Sequence, residues 1–127
     1  MDRFIPDERG KYSILIFDDS EIFLSALFDL IQARIGSGIA ATTSECAAIQ
    51  IAETSRPKLV LVDFDMPFFS GIHSIIQLRK LLPESRIIAM SMLDQDACQQ
   101  VAISSGASEF FCKSDLPNLF LEALSLS

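Results

Sequence analysis

The sequence predicts an α/β fold, a doubly wound (βα)5 arrangement in which a five-stranded parallel sheet is flanked by helices. Three observations carry this expectation. Five short apolar, β-branched runs alternate strictly with five stretches of helical period, and such alternation implies parallel strands joined by crossover helices. Two of the runs, Leu59-Val60-Leu61-Val62 and Arg86-Ile87-Ile88-Ala89-Met90, are almost continuously apolar, as strands buried on both faces are. The chain has 127 residues, half of them apolar, which suits one domain around one core.

The elements follow in order. Residues 1–12 carry Asp2, Arg3, Asp7, Glu8 and Arg9 with Pro6 and Gly10 and show no apolar period; they are expected to form a loose N-terminal extension to a domain spanning 13–127. The first strand is expected over 13–17 and its helix over 21–35, with Ser20 as N-cap and Gly36 at the end. A second strand over 38–42 leads to a helix over 45–54, opened by Ser44 and closed by the Arg56-Pro57 step. A third strand, 58–63, precedes a helix over 72–82 that Pro83 stops. The fourth pair is a strand over 86–91 and a helix over 96–105, bracketed by Asp94 and Gly106. The last strand covers 108–112 and the last helix 116–126.

Composition narrows the function. The net charge is −7, which opposes contact with phosphate backbones, and no basic cluster offsets it, so direct nucleic-acid binding is not expected. The N-terminus is too polar for a signal peptide, and no run reaches the ~18 apolar residues of a membrane span. Cys46, Cys98 and Cys112 are odd in number and far apart, as free thiols in a reducing compartment are, so a cytoplasmic location is expected. His73 is a lone histidine at a helix start, expected on the surface, and with no His/Cys cluster a zinc site is not expected.

In open parallel sheets ligands sit beyond the carboxyl ends of the strands. The first strand ends in Asp18-Asp19, the third in Asp63, followed by Phe64-Asp65-Met66-Pro67, the fourth in Ser91 and the fifth in Cys112-Lys113. Three carboxylates brought together repel one another unless a cation sits among them. With oxygen ligands only, the natural ion is Mg²⁺. A carboxylate can attack phosphorus, while a lysine and a hydroxyl hydrogen-bond the phosphoryl oxygens.

These segments resemble the receiver domain of two-component response regulators. The resemblance is carried by Ile14-Leu15-Ile16-Phe17-Asp18-Asp19, by Asp63-Phe64-Asp65-Met66-Pro67 with Gly71 closing the loop, by Ile87-Ile88-Ala89-Met90-Ser91 and by Gly106 to Lys113. Phe23 and Leu27 add a likeness to receivers of LuxR-type transcription factors. The resemblance implies a flavodoxin-like strand order, 2-1-3-4-5, and a phosphorylation-dependent switch. Asp63 would accept a phosphoryl group from a sensor histidine kinase or phosphotransfer protein. Asp19 would ligate Mg²⁺ directly, Asp18 mainly through water, with Asp63 and the backbone carbonyl of Asp65 completing the protein's share. Ser91 and Lys113 would hold phosphoryl oxygens. Phe110 would be the switch aromatic that follows Ser91, altering the surface of the fourth helix, fifth strand and fifth helix to control an output domain or partner.

Three positions depart from the pattern. Met92 replaces a very small residue and Asp65 adds a fourth acid, so both should modulate the pocket and slow phosphoryl transfer. Ser114 stands where a cis-linked proline is frequent. Two alternatives stay open: a receiver-fold adaptor that works without phosphorylation, and a phosphatase of the haloacid-dehalogenase type, whose first motif Asp63-x-Asp65 resembles.

The first helix carries more apolar residues than one face needs. Phe23, Ala26, Leu27 and Leu30 are expected to face the sheet, leaving Leu24, Phe28, Ile31 and Ile35 as a second stripe. With Leu119 on the last helix, Leu24, Phe28 and Ile31 become candidates for a homodimer interface through the first and fifth helices.

Overall fold

A computed structural model of the chain describes residues 2–67, 70–93 and 95–115. At its centre is a six-stranded sheet made of β1 (Arg3–Ile5), β2 (Ile14–Phe17), β3 (Ile39–Thr42), β4 (Leu59–Asp63), β5 (Arg86–Ser91) and β6 (Glu109–Cys112), in the order β1-β3-β2-β4-β5-β6. The strands from β2 to β6 pair in parallel and reproduce the expected 2-1-3-4-5 order. Four helices are described: α1 (Glu21–Ile35), α2 (Glu45–Ser55), α3 (Ser70–Leu81) and α4 (Asp96–Ser105), with a 3-10 turn over Lys113–Asp115. The expected helix over 116–126, with Leu119, lies outside the described residues, as does Asp94.

Local chemistry sets the boundaries. Ser20 and Ser44 accept hydrogen bonds from the Phe23 and Ala47 amides, each satisfying a free donor of a helix start. Gly36, with φ of 82°, and Gly106, with φ of 126°, end α1 and α4, while Arg56 takes the left-handed conformation before Pro57 to end α2. Alternation along the strands sorts the core into two faces. Leu15, Phe17, Val60, Val62, Ile87 and Ala89 lie beneath Ala48 and Ala52 of α2, Ile75 and Leu78 of α3, and Ala102 of α4. Ile14, Ile16, Leu59, Leu61, Ile88 and Met90 face α1.

The N-terminal segment departs from the expected loose extension. Arg3–Ile5 pairs antiparallel with β3, Arg3 opposite Ala41 and Ile5 opposite Ile39. The Asp2 carboxylate accepts from Thr42 Oγ1 at 2.8 Å, and the Arg3 guanidinium donates to Asp29 at 2.7 Å while lying 4.2 Å from the centroid of the Phe28 ring. The Phe4 and Tyr12 rings meet with centroids 6.0 Å apart. Three residues are too few to display a period; the strand is templated by the open edge of β3, which no local pattern reveals.

The apolar faces of α1 also differ from the expectation. Leu24, Leu27, Phe28 and Ile31 are the buried residues and pack on the sheet, whereas Ala26 and Leu30 are exposed and Ile22 is 86 % exposed. Leu24, Phe28 and Ile31 are therefore core, not a dimer interface. Their spacing of three, one and three residues is that of a single helical face, and Phe28 is fixed further by the Arg3 side chain on it.

Candidate phosphoryl-transfer site

The register of the central strands builds the site. Phe17 lies opposite Val62 and Asp63 opposite Met90, so Asp18 and Asp19 emerge beside Asp63. Oxygens of Asp18, Asp19 and Asp63 all lie within 4.8 Å of one another. Asp18 and Asp63 are buried and Asp19 is exposed, which leaves the cluster open to solvent on one side. Lys113, just past the end of β6, reaches in: its Nζ lies 2.8 Å from Asp18 Oδ2 and 3.3 Å from Asp63 Oδ1. The centroid of the Phe23 ring lies 4.6 Å from the same ammonium, a cation–π contact that the spacing of Phe23 and Lys113 in the chain does not reveal. An aromatic in the first turn after an acid pair was the available signal.

Gly71 closes this corner. A Cβ there would sit 2.6 Å from the carbonyl oxygens of both Asp63 and Phe64, so only glycine lets the start of α3 approach the strand end. The Asp65 amide donates to Asp63 Oδ1 at 2.9 Å and the Ser20 amide to Asp18 Oδ1 at 2.8 Å, fixing both carboxylates.

The charge is poorly compensated. Burial, the hydrogen bond with the Asp19 carboxyl and the charge of Asp18 together push Asp63 up to about 7, against the lowering effects of the Asp65 amide and Lys113. Burial disfavours the ammonium of Lys113, yet Asp18 and Asp63 outweigh it and hold its pKa above the ordinary value. Asp18 Oδ2 is buried without a well-directed hydrogen bond, although Lys113 Nζ is close. Three convergent acids that share one ammonium, with no sulfur or nitrogen donor among them, fit a hard divalent cation such as Mg²⁺.

Ser91 and Asp65 are joined across the mouth of the site. Ser91 Oγ, at the end of β5 and fully buried, donates to Asp65 Oδ1 at 2.6 Å, and the Met92 amide donates to Asp65 Oδ2 at 2.6 Å. The Met92 side chain is 66 % exposed, so its closest tie to the site is through the backbone. Phe110, half-buried on β6, meets Phe64 edge-on with ring centroids 6.0 Å apart. His73 is exposed on α3.

The family model for the response regulator receiver domain matches residues 14–125. The chain belongs to the response regulator receiver family. This receiver is 32 % identical to the chemotaxis protein CheY of Thermotoga maritima over 113 residues, covering 88 % of this chain and 93 % of that one. It is 30 % identical to the transcriptional regulatory protein MctR of Rhizobium johnstonii over 84 % of this chain but 50 % of the relative, and so spans about half the length of that regulator. Among solved structures it is similar to a LuxR-family two-component response regulator from Aurantimonas, with a TM-score of 0.74 and 26 % identity over 90 % of this chain and 84 % of the other. A Thermotoga maritima response regulator, at 17 % identity, shares the fold with a TM-score of 0.77 over 91 % and 96 % of the two chains. Among the described residues, no helix is long and apolar enough to cross a membrane.

Proposed function

We propose that this receiver is a phosphorylation-dependent switch in which Asp63 takes a phosphoryl group from a histidine kinase or phosphotransfer protein with Mg²⁺ bound. The observation that carries this reading is the convergence of Asp18, Asp19 and Asp63 with Lys113 at aligned strand ends. An Asp63 carboxylate oxygen attacks the phosphorus, the bond from phosphorus to the donor's histidine nitrogen breaks, and the imidazole leaves with the electron pair. Asp18, Asp19, Asp63 and the Asp65 carbonyl would hold the ion, which, when bound, offsets charge on the transferred oxygens. Lys113 stands ready for one phosphoryl oxygen, and Ser91 for another once it leaves Asp65. Phe110 then has reason to move with Ser91, carrying the change to the surface that α4 and β6 share.

The test is labelling by acetyl phosphate. The parent should label only with Mg²⁺, and Asp63→Asn should not label; undiminished labelling of that variant would overturn the assignment. The engagement of Ser91 by Asp65 also favours a second reading, an adaptor that works without phosphorylation. Beryllofluoride, an analogue of the phosphoryl group, decides between them: Mg²⁺-dependent binding supports the switch, and no binding supports the adaptor.

A further inference from the structure

We infer that the Asp65 carboxylate is a positioning residue, an internal anion that occupies the donors the phosphoryl group needs and must give them up when Asp63 is modified. This rests on the phosphoacceptor reading. The geometry is specific. One carboxylate spans two adjacent donors, taking Ser91 Oγ–H on Oδ1 and the Met92 amide on Oδ2, both at 2.6 Å. Ser91 Oγ in turn accepts from the Leu93 amide at 2.9 Å, so the hydroxyl proton is committed to Asp65. Asp65 is two residues from Asp63, the last residue of β4, and its own amide donates to Asp63 Oδ1, so acceptor and latch sit on one short stretch of chain at that strand end. Hydrogen bonds to an ionised acceptor are short and strong. A hydroxyl has one proton, so Ser91 cannot donate to Asp65 and to a phosphoryl oxygen together.

The consequence is competition. Every anion bound at Asp63 through Ser91 must first displace the Asp65 carboxylate. Removing that carboxylate should tighten binding of a phosphoryl analogue, and the gain should depend on Ser91. Simple charge repulsion from Asp65 also predicts tighter binding on its removal, but independently of Ser91.

The experiment is a double-mutant cycle on the full chain, read by amide NMR during beryllofluoride titration with Mg²⁺. Asp65→Ala should bind beryllofluoride about five- to tenfold more tightly than the parent. In a Ser91→Ala background the same substitution should give less than about half of that gain on a logarithmic scale. Before any ligand is added, the Met92 amide proton should move upfield in Asp65→Ala, reporting loss of its bond to the carboxylate. Equal gains in the two backgrounds would assign the effect to charge alone and overturn the latch. An unmoved Met92 amide would overturn it as well. If neither parent nor Asp65→Ala binds beryllofluoride while the Met92 amide still shifts, the phosphoacceptor reading fails together with the competition built on it, although the hydrogen bond stands.

Discussion

At the scale of single residues, the ionisation of Asp63 gives a pH dependence whose sign can be worked out. Its pKa is raised from 3.8 to about 7, first by burial and then by the neighbouring acids. Between those values the folded chain holds a proton that the unfolded chain has released, so stability from this carboxyl is full at low pH and falls as pH rises toward 7. In chelator at pH 7.5, Asp63→Asn should therefore be more stable than the parent by about 2 kcal/mol or more, and near pH 4 the two should be alike. Chemical denaturation at several pH values checks this; a constant difference across the range would show that the acids do not strain the site. Asp18, Asp19, Asp63 and Lys113 were legible in the sequence because each stands at a strand end, and strand ends are visible as the last residue of an apolar run. The Asp65–Ser91 bond was not legible. It joins the loop after β4 to the end of β5, 26 residues apart, and which of several nearby donors a carboxylate selects depends on side-chain geometry that spacing does not encode.

At the scale of elements, the four described helices and the five parallel strands were legible, and the antiparallel edge strand β1 was not. The bounds of α1, β5 and α4 agree with the periodicity, because caps and apolar runs are local signals. The burial of α1 was misassigned because its surplus of apolar residues supports two stripes, and only the sheet decides which of them is covered. Phe28 is fully buried on that face. Phe28→Ala should cost about 3–5 kcal/mol, and pairing Leu24→Asp with Phe28→Asp should unfold the chain instead of dissociating an oligomer. Circular dichroism melts with light scattering distinguish the outcomes; a folded double variant of reduced mass would restore these residues to an interface. The β1 strand is the second case. Deleting residues 2–5 removes the Asp2–Thr42 bond, the Arg3–Asp29 pair and the cover over the edge of β3. The truncated chain should melt earlier and self-associate with concentration, because a bared strand edge is a template for pairing. An unchanged melt and a monomeric truncation would make the strand ornamental.

At the scale of the whole molecule, the alternation of strands and helices predicts the architecture because it is a global pattern, repeated five times and tolerant of local error. The same architecture gathers the strand-end acids of an already acidic chain at one end of the sheet. Folding thus works against electrostatic repulsion that a bound cation would relieve, and Lys113 is the internal cation that relieves part of it. Two cations for one cluster lead to opposite expectations for two substitutions. Saturating Mg²⁺, at about 100 times its Kd, should add ~2.7 kcal/mol to the parent's stability and raise its Tm. Asp19→Asn leaves the buried Asp18–Lys113 pair in place but removes the one exposed carboxylate of the three-acid cluster, so the rise in Tm at the same Mg²⁺ concentration should shrink by more than half. Lys113→Ala should lower Tm in chelator, since Asp18 and Asp63 lose their partner, yet enlarge the rise on adding Mg²⁺, because the ion then meets an uncompensated cluster. Thermal melts across a Mg²⁺ titration, with NaCl at matched ionic strength as the control for screening, separate these effects. If all three proteins respond to Mg²⁺ by the same amount, the ion acts on the general surface charge, and the acid cluster is not where it binds.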